Sequence, residues 1–164
     1  MTDLLTHVLA GYALATLSSW RLDWLDARHV PLAMVGATIP DAAKVYLLLG
    51  GVRTTVAGVE VSWLALQTAG AGLAFALAGS LLVPPRERRA TLAALVGGVA
   101  LHVTMDYFVI RTGGLAPPYL YPFTWAQLPA GNLYLSADVW PAVVAVAVAG
   151  LVFALDRRRR GSGV

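Results

Sequence analysis

The segment Leu101-His102-Val103-Thr104-Met105-Asp106 sets an imidazole and a carboxylate one helical turn apart, inside an apolar stretch long enough to cross a bilayer. Ionisable side chains are costly in hydrocarbon, so they persist there when paired or when they have a task. Two more groups of this kind, His7 and Asp41, lie in other apolar segments. Two histidines and two carboxylates form a ligand set for a metal ion.

The rest of the chain fits a membrane setting. Hydrophobic residues make up 58% and charged residues 13% of the 164 positions, against about 25% charge in ordinary soluble domains. No cysteine is present, which excludes disulfides, thiolate metal sites and cysteine nucleophiles. The basic residues sit in short runs beside apolar segments, the pattern of topology signals and not of a nucleic-acid-binding stripe. Asp3 precedes the first apolar run and Arg21 follows it, the reverse of a secretory signal, so this run is expected to be a retained helix.

Apolar stretches at 4–20, 30–50, 62–83, 90–111 and 139–155 compare with the roughly 17–25 residues a helix needs to cross hydrocarbon. The predicted fold class is therefore all-α, a polytopic transmembrane helix bundle of about five spans. Residues 1–156 would form one integral membrane domain and 157–164 a disordered basic tail. Nine of the twelve basic residues (Arg21, Arg28, Arg86, Arg88, Arg89 and Arg157 to Arg160) fall on one side of this arrangement. The positive-inside rule makes that side cytoplasmic, with the N-terminus outside and the C-terminus inside an inner membrane. Small residues in the third span (Ala69, Gly70, Gly72, Ala76, Ser80) and the fourth (Ala93, Ala94, Gly97, Gly98) are expected to let helices pack closely. The connection from Thr112 to Ala137, rich in proline and aromatic residues, should lie on the outer surface, as an interfacial anchor or as a roof over a site below.

At this topology the four polar groups share a level. His102 and Asp106 project from one helix face about 6 Å apart at Cβ, as helical zinc-binding pairs do. Asp41 follows Pro40, which should kink the second span, and His7 stands near the outer end of the first. A divalent cation would be balanced by Asp41 and Asp106, with neutral imidazoles completing its shell. Zinc fits such nitrogen and oxygen donors, as do manganese and iron. His7 is then a fourth ligand or a proton donor. Lys44 or Arg111 would hold an anionic substrate group. The bland alternatives are an Asp41–Lys44 ion pair and a structural His102–Asp106 couple.

Thr6-His7, Ile39-Pro40-Asp41, Leu101 through Asp106 and Tyr121-Pro122-Phe123, in this order, resemble the membrane-bound metal-dependent hydrolases described as LexA-regulated. The resemblance implies metal-dependent hydrolysis of ester or phosphoester bonds in lipid-like substrates by a metal-activated water, with His7, Asp41, His102 and Asp106 as the matching positions. The chain departs from relatives at Ala42, Ala43 and Lys44, where many have an acid and a histidine, and at Val61-Ser62-Trp63, where many have Thr-His-Ser. One metal is therefore expected, not two. The competing classes are a small transporter or ion-conducting protein, whose buried acids and histidines relay ions, and a non-catalytic membrane scaffold.

Overall fold

Two of the five apolar stretches, 30–50 and 62–83, are broken into shorter helical pieces than their hydropathy implies. The computed structural model describes residues 4–48 and 52–161. Its α-helices are α1 (Leu4–Ser19), α2 (Val30–Gly36), α3 (Ala69–Leu81), α4 (Arg88–Tyr107) and α5 (Trp140–Gly161), with a hairpin of β1 (Arg53–Val56) and β2 (Val59–Ser62) between α2 and α3. The helical class stands, with this antiparallel hairpin added. Its turn places Ala57 at φ 49° and Gly58 at φ 80°, the left-handed pair that two-residue hairpins require.

Among the described residues, two helices, α4 and α5, are long and apolar enough to cross a membrane. The five-span expectation therefore does not carry over at full length, since α1 has 16 residues and α3 has 13. The stretch 30–50 is not one span. After seven residues of α2 the chain passes through Ala37 and Thr38 into a 3₁₀ helix, Ile39–Leu47. Pro40 is the cause: it has no N–H to donate and disfavours helical geometry in the residue before it. The stretch 62–83 is divided likewise into a 3₁₀ turn, Trp63–Gln67, and α3, which Thr68 caps by accepting from the Ala71 N–H.

α4 is the central element, packed by α1, α2 and α3, while α5 lies against α1. The small residues set these contacts, as expected of close helix packing. Gly72 on α3 faces Val99 of α4, where an added Cβ would come within 2.5 Å of Val99 Cγ1. Gly98 turns instead to α2: an added Cβ would overlap the Ala33 carbonyl oxygen and stand 2.5 Å from the Ala37 nitrogen. Gly36 meets the Leu95 carbonyl in the same way, so α2 and α4 cross in backbone contact.

Polar groups sort to opposite ends. At one end Arg28 reaches Glu87 at 3.5 Å, the Trp20 indole N–H donates to Asp156 at 3.1 Å, and Arg159 lies over the Trp20 ring at 4.8 Å. Arg28 and Arg159, from two of the basic runs, thus lie at one end of the bundle. The run expected to be a loose tail is helical as far as Gly161. Arginine favours helices, cations suit a helix C-terminus, and Arg160 pairs with Asp156 one turn back at 2.7 Å. His7, Asp41, His102 and Asp106 lie at the other end. Between the two ends, α5 carries exposed Val143, Val144, Val146, Leu151 and Phe153, and α3 exposed Leu73, Phe75 and Leu77.

Candidate metal centre

Pro40 shapes the centre through a hydrogen bond that the chain cannot make. In a continuing α-helix the Ala37 carbonyl would receive the N–H of residue 41, and in a 3₁₀ helix that of residue 40. Residue 40 is proline, and the Asp41 N–H bonds to the Thr38 carbonyl at 3.0 Å instead. The Ala37 carbonyl turns to His102, whose Nδ1 lies 2.7 Å from it. The backbone contact at Gly98, one turn before His102 on α4, brings that carbonyl within reach.

This bond fixes the proton. A carbonyl only accepts, so Nδ1 carries the hydrogen and the Nε2 of a neutral His102 presents a lone pair. That lone pair faces Asp106 Oδ2 at 3.5 Å and Asp41 Oδ1 at 3.7 Å. The His7 Nε2 lies 3.5 Å from Asp106 Oδ1, and the two imidazole rings stack with centroids 3.9 Å apart. His7 and His102 are 0% and 1% exposed, Asp106 3% and Asp41 9%, so water does not screen these groups. Among the described residues, both nitrogens of His7, Nε2 of His102 and Oδ2 of Asp41 have no hydrogen-bond partner.

Burying electron pairs against one another is unfavourable unless a cation lies between them. A protonated His102 would be one solution, but charge-assisted hydrogen bonds are about 2.7–2.9 Å long. The 3.5–3.7 Å separations here are close to the ~3.3 Å edge of a tetrahedron whose ligands stand about 2.0 Å from a central ion. One ligand atom from each of His7, Asp41 and His102 lies within 4.8 Å of the others, so this trio could hold a metal ion. Ligating histidines usually bond a carbonyl or carboxylate through their other nitrogen, and the Ala37 carbonyl is such a partner for His102.

All four expected positions meet. His7, Asp41 and His102 form the mutually close group, and Asp106 touches both imidazoles from beside it. Lys44 does not stand apart to receive a substrate: its Nζ is 2.7 Å from Asp41 Oδ1, the ion pair that its spacing allows. Arg111 does approach the centre, with a terminal nitrogen 3.9 Å from Asp106 Oδ2 and 3.4 Å from the Asp106 carbonyl. The third histidine is explained by the fold, since His29 Nδ1 accepts from the Asp26 N–H in a capping box.

The connection after α4 roofs this end. The Tyr134 hydroxyl donates to the Met105 carbonyl at 2.6 Å, and the Ala69 and Gly70 N–H groups donate to Tyr119 and Tyr121 carbonyls. It also brings in a residue whose nearness to the centre has no sequence signal. Tyr119 is 6% exposed, and burial followed by the nearby Asp106 carboxylate pushes its hydroxyl up to about 12. It therefore remains a neutral donor throughout the neutral range.

Family models, curated proteins and solved structures give no match to this chain.

Crowding the α2–α4 crossing should reach the centre indirectly. Gly98→Leu would force the backbones apart, with an expected cost of about 3 kcal/mol by overpacking. It should also weaken metal binding roughly 10- to 100-fold through loss of the His102–Ala37 bond. Thermal melting and chelator competition measure the two effects, and Gly97→Leu, at a position with no atom within 4 Å of an added Cβ, is the control.

Proposed function

We propose that this chain is a multi-pass inner-membrane hydrolase using one divalent metal ion, zinc foremost, with substrates containing an ester or phosphoester bond. The observation carrying the proposal is the His102 lone pair, fixed by the Ala37 carbonyl and directed at two buried carboxylates. The exposed apolar surfaces of α3 and α5 support membrane placement, with α1 and α3 as shorter companions to the two long helices. The arginine-rich end would face the cytoplasm, putting the centre toward the outer surface.

His7, Asp41 and His102 would hold the ion, leaving a coordination position open, as catalytic zinc sites do. Bound there, the ion would supply Lewis-acid activation and a more acidic water. Asp106, in contact with both imidazoles, would accept the water proton at a carboxylate oxygen. Arg111 would orient an anionic substrate oxygen through its planar fork, and the neutral Tyr119 hydroxyl would donate to the leaving group. Lys44 would act through Asp41, offsetting its charge. Beside the centre, a groove of about 240 Å³ lined by Thr6, Met105, Phe108, Trp140 and Val144 would take an apolar substrate chain.

Purified protein in detergent micelles, given a chromogenic phosphodiester and a carboxylic ester, tests this reading. Hydrolysis of either that stops with chelator and returns with zinc is expected. Metal-replete protein that turns over neither, but moves a cation across liposomes down a gradient, would overturn it in favour of transport.

A further inference from the structure

At the arginine-rich end, away from the metal centre, α1, α2 and α5 enclose a second groove of about 550 Å³. Its volume is that of a small-molecule site. Val30, Pro31 and Met34 of α2, Tyr12 of α1 and Phe153 of α5 make its walls, and Arg157 and Arg160 stand at its mouth. An apolar slot ending in guanidinium groups has the two-part chemistry of a lipid with an anionic headgroup.

Two observations support a ligand here. Thr16 lines the groove at 2% exposure, and its hydroxyl has no hydrogen-bond partner among the described residues. A buried hydroxyl left unpaired is costly, and this one lies in the last turn of α1, one helical turn before Trp20 at the arginine-rich end. The second is charge. Asp156 also lines the mouth, but its Oδ1 accepts from Trp20 and its Oδ2 is paired with Arg160 at 2.7 Å. Among the described residues, Arg157 stands over the Phe153 ring, at 5.9 Å, and pairs with no carboxylate.

We infer that this groove binds one anionic phospholipid of the membrane leaflet at the arginine-rich end, its phosphate on Arg157 and Arg160, an ester carbonyl on the Thr16 hydroxyl and an acyl chain along α2. The inference rests on the membrane placement proposed above but is independent of hydrolysis. Apolar walls exclude free phosphate as the ligand, because they give it nothing to bind.

Native mass spectrometry of the full chain in a non-ionic detergent, with equal phosphatidylglycerol and phosphatidylcholine of matched acyl chains, reads the preference directly. Phosphatidylglycerol adducts are expected to dominate, falling about fivefold for each of Arg157→Gln and Arg160→Gln. Thr16→Val should reduce the same adducts while the melting temperature of lipid-free protein holds or rises, which separates lost binding from lost folding. Equal adducts of both lipids, a preference that survives all three substitutions, or the same thermal shift with inorganic phosphate alone would overturn the inference. Protein that stays in the aqueous phase without detergent would remove the membrane placement as well, whereas detergent-requiring protein without lipid preference would overturn the lipid site alone.

Discussion

Asp106→Asn is expected to lower kcat by roughly 100- to 10,000-fold, the range for loss of a general base, while the protein keeps its metal. The amide preserves the shape of the side chain and can still contact the imidazoles at the positions Asp106 occupies, 3.5 Å from each Nε2. It cannot accept a proton from water. Parallel steady-state kinetics and metal analysis distinguish this role from that of a ligand: activity and metal disappearing together would make Asp106 part of the coordination shell. Unchanged kcat would remove it from the chemistry altogether.

His102→Ala should have the larger effect on binding, raising the metal dissociation constant more than 100-fold. Loss of an outer-shell partner already costs 10- to 100-fold, and His102 is the group through which that partner acts. The substitution removes the lone pair facing Asp41 and Asp106 and leaves the Ala37 carbonyl without its partner. Competition with a chelator of known affinity gives the magnitude. His29→Gln is the comparison, because His29 serves its own helix cap and should leave metal affinity unchanged.

Much of the centre was legible in the sequence because depth in a helical bundle can be counted. One turn separates His102 from Asp106, and the rise per residue carries His7 and Asp41 to the same level. The grouping of the four was not legible. Spacing treats Asp106 as equivalent to the others, whereas the helix crossings leave it beside the trio. The Lys44–Asp41 pair was visible as an alternative and is present.

Hydropathy joins 30–50 into one span because it does not register the hydrogen bonds lost at Pro40. That same proline contained an unused signal, since a residue without an N–H leaves a preceding carbonyl in need of another donor. Ala37 is that carbonyl, and His102 supplies the donor. Tyr119 lies in a connection without periodicity, and its approach to the centre depends on the loop's bonds to α3 and α4. The arginine run reads as a tail by composition alone, but Arg160 has its acid one turn earlier.

The central claim is a cation held between groups from separate helices. Metal analysis of purified wild-type protein, followed by X-ray absorption at the edge of the bound element, tests it most directly. One ion per chain is expected, with two imidazole nitrogens and carboxylate oxygen at about 2.0–2.2 Å. Metal-free protein after loading with zinc, manganese or iron, or a coordination shell lacking imidazole, would contradict the account.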